Sequence, residues 1–388
     1  MKLSPVNGRK AIQKAALILV SVLLSFLIAE CLLRLFVNES DKYYVWQPNL
    51  QHTFYPDTTL FCGVYGSSHF SINASGFRGA DFEGEAIRYL CMGGSTTECL
   101  YLDDMETWPH LLGDSLNEYH SNEYQIGSIG KSGCTTDEHY LQLKYYVPQL
   151  PKVSSVILMV GLNDMLKRLS RDTLYNENVQ FTPQMEDSMV RAIFLTHAVS
   201  KIWWRNLELF RLVQSLLHRA RPVTWEQVQD DRGAIMANWR ANRKKASKYI
   251  GNLPDMNSAL DDWEQMLNLI YAEAERQKIK LCFVTQASLY NASLTDYENG
   301  LLWMGGVGDY QHQTHQPYYS PAALDTALQL YNKRLLAFCN SKSNITCIDI
   351  ASLLPKDTSV FYDDCHFNES GARKVAGAIA RSLSHTLQ

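Results

Sequence analysis

Hydrophobic positions fall along this chain in two different regimes. From Ala15 to Ala29 the sequence AALILVSVLLSFLIA carries no charge, and the apolar character runs on through CLLRLF to Phe36. About 20 such residues suffice for a helix to cross a bilayer. Glu30 and Arg34 interrupt the run at i, i+4 with the acid first, the favourable order for a helical ion pair. Lys2, Arg9, Lys10 and Lys14 precede the span. That asymmetry predicts a cytoplasmic segment 1–14, an anchor over 15–36 and an exported remainder. No small-x-small site follows the run, and Glu30 before Cys31 does not fit a lipoprotein cleavage site. The expectation is therefore an uncleaved anchor.

Beyond the anchor the pattern changes. Residues 37–86 mix Pro48, Pro56, glycines and aromatics, as a stalk and lead-in segment would. Then short apolar runs recur: Ile87–Met92, Tyr124–Ile129, Val156–Val160, Ile279–Thr285 and Ile345–Ile350. Between them lie stretches with helical spacing, such as Leu260, Trp263, Met266, Leu267 and Ile270. Near-continuous apolar strands alternating with helices predict an α/β domain over 87–388, its mainly parallel sheet of about five strands covered on both faces. Residues 165–250 interrupt the alternation and predict a helical insert. Within it, Ile202–Arg219 is amphipathic. An apolar stripe packed on the core is the ordinary expectation for it, and contact of Trp203, Trp204, Phe210 and Leu216 with a bilayer or partner is the alternative.

Composition adds limits. The 388 residues carry 36 basic and 40 acidic side chains, a net charge of -4, so no electrostatic case for nucleic acid exists. No internal repeat is present. Of the nine cysteines, Cys91 and Cys282 fall inside expected strands, where a thiol serves as a small hydrophobe. Cys339 and Cys347 flank a short polar loop and could pair. No cysteine or histidine cluster has metal spacing, and His312 and His315 read as a polar loop.

Two serines compete as nucleophile. Ser115 stands in Gly-Asp-Ser-Leu at 113–116, but Trp108, Leu111, Leu112 and Leu116 recur around it at helical spacing, which puts it inside a helix. Ser95 follows the first strand directly, after Gly93 and Gly94, where a tight turn presents a side chain. Active residues of parallel sheets gather at such carboxyl ends. A serine needs a base and a group to orient it. FYDDCHFNESG supplies His366, with Asp363 three residues before it; Asp364 is the substitute, and the spacing favours Asp363. Oxyanion donors are expected after the next two strands, from the backbone of Gly133 in GKSGCTT and the side-chain amide of Asn163 in GLND.

The blocks GGST at 93–96, SGCTT at 132–136, GLND at 161–164 and DDCH at 363–366 together resemble the SGNH/GDSL hydrolase superfamily in order and approximate spacing. INASGFRG at 72–79, NLIYAEAERQKIKLCFVTQ and YNKRLL at 331–336 resemble its membrane-anchored bacterial members. The resemblance covers residue 72 to the C-terminus apart from the insert. It implies a flavodoxin-like, three-layer α/β/α sandwich with no metal or organic cofactor. It further implies Ser95 as nucleophile and first oxyanion donor, Gly133 and Asn163 as the other two donors, His366 as base and Asp363 as its orienting acid. Gly94 stands where the name-giving motif has Asp. The five Asn-x-Ser/Thr sequons, at Asn38, Asn73, Asn291, Asn344 and Asn368, read as coincidental in a chain resembling bacterial proteins.

The function expected is an esterase of the bacterial inner membrane with its catalytic domain on the periplasmic side. Its substrate would be an acylated carbohydrate, a lipid or a small ester. A polysaccharide O-acyltransferase would use the same triad, and a catalytically inactive scaffold with envelope protein partners is the reading from another class. Fold-level analogy does not choose the substrate.

Overall fold

The computed structural model describes all residues except 1–4, 37–42, 120, 122, 172–180, 195–206, 208, 211, 214–222, 225–231 and 388. Asn38, Trp203, Trp204, Leu216 and most of the amphipathic stretch 202–219 thus lie outside the described residues. The chain divides into two units, residues 1–42 with 196–222, and residues 43–195 with 223–388.

The first unit contains helix α1 (Pro5–Phe36). Its stretch Gln13–Leu35, 23 residues long, is apolar enough to cross a membrane, and its side chains are largely exposed. The acid within it is not isolated. Arg34 Nε donates to Glu30 Oε1 at 2.8 Å, and the Leu209 amide donates to Glu30 Oε2 at 3.0 Å.

The second unit opens with an antiparallel hairpin, β1 (Leu50–Phe54) and β2 (Ser68–Ser71). Phe54, Phe61, Phe70 and Phe77 of this lead-in are fully buried. The main chain path then runs β3 (Ile87–Gly93), α2 (Ser95–Glu98), α3 (Trp108–Tyr119), β4 (Tyr124–Ser128), α4 (Thr136–Leu141), β5 (Ser155–Met159) and α5 (Leu162–Arg171). Helices α6 (Pro183–Ile193) and α7 (Ala234–Lys244) belong to the insert. After it come α8 (Asn257–Gln277), β6 (Lys280–Val284), α9 (Asp296–Leu301), α10 (Pro321–Asn340), β7 (Ile345–Ile348) and α11 (Glu369–Leu387).

Strands β3 to β7 form one all-parallel sheet in the order β7-β6-β5-β3-β4. All five runs read from the hydrophobic pattern are strands, with ends displaced by at most two residues. All five residues of β5 are buried, as a strand covered on both faces requires. Helices α3 and α11 pack on each other, as do α8 and α10. The crossover from β3 to β4 runs opposite to the later ones, so right-handed connections place these two pairs on opposite faces. The result is a three-layer α/β/α sandwich. The strand order reverses between β4 and β5, and β3 lies between them. That switch point is where the carboxyl ends of an open sheet leave a crevice.

Cys339 and Cys347, at the end of α10 and in β7, form a disulfide. Cys91 on β3 and Cys282 on β6 are buried free thiols, and Ile157 of β5 lies between them in the sheet register.

Candidate active site

The turn after β3 is set by glycines that leave no room for a side chain. A Cβ on Gly93 would lie 2.3 Å from Thr97 Oγ1 and 2.9 Å from the Met159 carbonyl; one on Gly94 would lie 2.5 Å from Asn163 Nδ2. Ser95 follows as the first residue of α2. That helix is a single turn and is held from outside. Trp108 Nε1 donates to the Thr96 carbonyl at 3.0 Å. Buried Arg78, from the INASGFRG block, donates to the Glu98 and Cys99 carbonyls at 2.8 and 3.1 Å. The lead-in segment therefore positions the serine turn. Ser115 lies in the middle of α3, where its hydroxyl donates to the Leu111 carbonyl at 2.9 Å.

The next two strands deliver Gly133 and Asn163 beside the serine turn. Gly133 adopts φ +79° with open space around it, so here the backbone conformation, not crowding, calls for glycine. Asn163 Nδ2 donates to the Cys134 carbonyl at 2.8 Å, which uses one of its two N–H bonds. Its neighbour Asp164 ties the two blocks together. Asp164 accepts from the Thr136 amide at 3.0 Å and from Thr136 Oγ1 at 2.9 Å, and Trp263 Nε1 donates to that same hydroxyl at 2.8 Å. Burial pushes the Asp164 carboxyl up to about 6, and the Thr136 hydrogen bonds act against it.

His366 and Asp363 meet directly. His366 Nδ1 lies 2.8 and 2.7 Å from the two carboxylate oxygens of Asp363. Asp363 also accepts from the Cys365 and His366 amides at 3.0 and 2.9 Å and from Trp303 Nε1 at 3.0 Å. Burial alone would raise the Asp363 carboxyl, but the His366 charge and hydrogen bond and the Cys365 and His366 amides hold it down at about 2. Burial alone would lower the His366 imidazole; the Asp363 charge and hydrogen bond outweigh it and raise it above its usual value. The Tyr362 ring stacks on the imidazole at 5.5 Å. Asp364 points elsewhere and accepts from the Trp303 and Met304 amides.

Ser95, Gly133, Asn163 and His366 all line one cavity of about 850 Å³. Its walls differ in character. Trp239, Trp303 and Tyr362 supply aromatic surface, and Lys167 and Arg171 of α5 together with Asp137 and Glu138 supply charge of both signs. Among the described residues, Asp363, Cys365 and His366 form the one group with metal-type donors, and there Asp363 and His366 are already bonded to each other. His312 is exposed and pairs with Asp309 at 2.6 Å.

Sequence reasoning missed several supporting residues. Buried Arg240 of α7 donates to the carbonyls of Leu301, Leu60 and Tyr362 at 2.9, 2.8 and 2.9 Å. Arg243 donates to the carbonyls of Met304 and Tyr319. Glu98, buried behind the serine turn, accepts from the Ser132 hydroxyl, and burial raises its carboxyl. An arginine in an amphipathic helix carries no local mark that its partners are distant carbonyls. Only the Asp-Asp doublet hinted that a second carboxylate had work nearby.

No protein-family model and no curated protein matches the chain. Among solved structures, it is similar to a member of the lipolytic protein G-D-S-L family from Veillonella parvula, at 13% identity over 76% of this chain and 97% of that one, TM-score 0.38. It is also similar to the acetylxylan esterase Axe2 from Geobacillus stearothermophilus, at 12% identity over 78% and 95%, TM-score 0.40. A GDSL-like lipase from Bacteroides thetaiotaomicron matches at 12% identity over 77% and 88%, TM-score 0.37. At such values the likeness decides nothing about chemistry, which rests on the geometry above.

Proposed function

We propose that the protein is an SGNH-type serine acyl-ester hydrolase, exported and held to the membrane by α1, acting on an envelope glycan, a lipid or a small ester. The observation that carries this reading is the shared cavity wall. A serine at a strand end, a histidine paired to a buried carboxylate and two candidate oxyanion donors face one space. In this reading the Ser95 hydroxyl attacks the acyl carbonyl and His366 Nε2 takes its proton. Asp363 holds Nδ1–H and stabilises the imidazolium as it forms. The amides of Ser95 and Gly133 and the remaining N–H of Asn163 hold the oxyanion. His366 then protonates the leaving alcohol, and water activated by the same imidazole releases the acid.

The exposed apolar span of α1 and the four basic residues before it support a membrane anchor with the hydrolase domain outside. A second reading is transfer of the acyl group to a sugar hydroxyl by the same residues; the cavity volume of about 850 Å³ suits a glycan equally as ester or as acceptor. The test uses full-length protein in detergent with p-nitrophenyl acetate. Ser95→Ala should lose at least about 10³-fold in kcat, and Ser115→Ala should keep wild-type turnover. The reverse pattern would overturn the assignment. A stoichiometric burst that resumes on adding a glycan acceptor would select the transferase.

A further inference from the structure

The two adjacent carboxylates of Asp363 and Asp364 close on a single residue. Trp303 Nε1 donates to Asp363 Oδ2 at 3.0 Å, and the Trp303 amide donates to Asp364 Oδ2 at 2.7 Å. The Met304 amide follows onto Asp364 Oδ1 at 3.2 Å. Helix α7 of the insert holds the same loop by its carbonyls. Arg240 Nε holds the Leu301 carbonyl at 2.9 Å and Arg243 Nη1 the Met304 carbonyl at 2.6 Å. Trp239 of that helix stacks on the Trp303 ring, centroids 4.4 Å apart and planes 29° apart. Backbone and indole are thus both constrained. What the constraint delivers is one N–H at one carboxylate oxygen.

That oxygen matters. Asp363 Oδ1 receives the Cys365 and His366 amides and lies 2.8 Å from His366 Nδ1, whereas Oδ2, 2.7 Å from the same nitrogen, has Trp303 as its other donor. Asp363 has no solvent exposure, so no water replaces a lost donor there.

We infer that Trp303 is a positioning residue for the acid–base pair, orienting Asp363 through its indole N–H, and that helix α7 sets its place. This rests on His366 being the base of the proposed reaction. The consequence is electrostatic as well as geometric. A donor to a carboxylate spreads its charge; without it the carboxylate binds the imidazolium proton more strongly. The other groups facing the pair are Asp364 and Glu98 beside His366, the Tyr362 ring, the Cys365 thiol, and Cys62 near Asp363. Arg243 offsets the charge of Asp364. None of these donates to Oδ2.

The test is Trp303→Phe, which keeps a ring on Trp239 and removes the N–H. In the full-length protein, the acid limb of kcat/KM for p-nitrophenyl acetate should move up by about one pH unit. His366 itself, followed by NMR with 15N-histidine in the Ser95→Ala background, should titrate higher by the same amount. This second readout does not depend on turnover, so failure of the esterase reading and failure of this inference are separable. A drop in kcat with neither the limb nor the imidazole titration displaced would mean a merely structural role and would overturn the inference. Should the variant not fold, wild-type protein decides. One indole N–H resonance must then follow the His366 titration midpoint, and a spectrum in which none does overturns it equally.

Discussion

At the scale of single residues, the pair His366–Asp363 sets the behaviour with pH. The imidazole lies above its usual value of about 6.5 because the Asp363 charge outweighs burial. General-base catalysis needs the neutral ring, so activity should rise with pH through a midpoint above that value. In Asp363→Asn the charge is gone, the limb should fall below the wild-type one, and kcat should drop by about 10³–10⁴-fold. Stationary kinetics from pH 5 to 9 reads both. A limb that stays in place would contradict the pairing. Stability follows the opposite logic at the acid end. The Asp363 carboxyl is held at about 2, against about 3.9 for an unfolded chain. Its contribution is therefore present above the unfolded value and is lost as pH falls through the folded one. The raised imidazole contributes below its unfolded value and ceases to contribute as pH rises through its folded one.

At the scale of elements, the insert reads differently in three dimensions than along the chain. A basic amphipathic stretch on a surface helix is ordinarily a solvated face over a core stripe. In α7, Arg240 and Arg243 instead point inward, 6% and 2% exposed, and their guanidinium groups hold carbonyls from four separate segments. Five donors in a rigid fork suit that task, and a lysine ammonium does not. Arg240→Met should preserve the helix yet leave the carbonyls of Leu60, Leu301 and Tyr362 without their donor. The expected loss is about 2–4 kcal/mol, read by urea denaturation, with Arg240→Lys recovering only part of it. An unchanged midpoint would mean that water satisfies those carbonyls. The strands, by contrast, were legible in advance because a parallel strand covered on both faces is apolar along most of its length. A turn such as Gly93–Gly94 was legible because few residues tolerate such close approach.

At the scale of the whole molecule, the chain joins a membrane-length helix to an α/β sandwich whose crevice opens at the switch between β4 and β5. If α1 is an anchor, the full chain stays in the membrane fraction through an alkaline carbonate wash. Leu23→Arg with Leu27→Arg, each about 2.5–3.5 kcal/mol against insertion, should release it. Recovery of both proteins in the same fraction would argue against the anchor.

What the sequence determined by itself was everything that short-range periodicity and spacing encode. That includes the five strands, the helical setting of Ser115, the strand-end setting of Ser95, and the three-residue interval that lets Asp363 reach His366. Tertiary structure alone decided which loops share a wall. Ser95, Gly133, Asn163 and His366 lie up to 271 positions apart (366 minus 95) and meet because the sheet orders its strands β7-β6-β5-β3-β4. It also decided that Asp364 holds the Trp303 backbone, and that arginines of a distant insert grip the loop carrying Trp303. Those contacts leave no trace in local pattern, because a hydrogen bond between residues 60 or 120 apart constrains neither residue's neighbours.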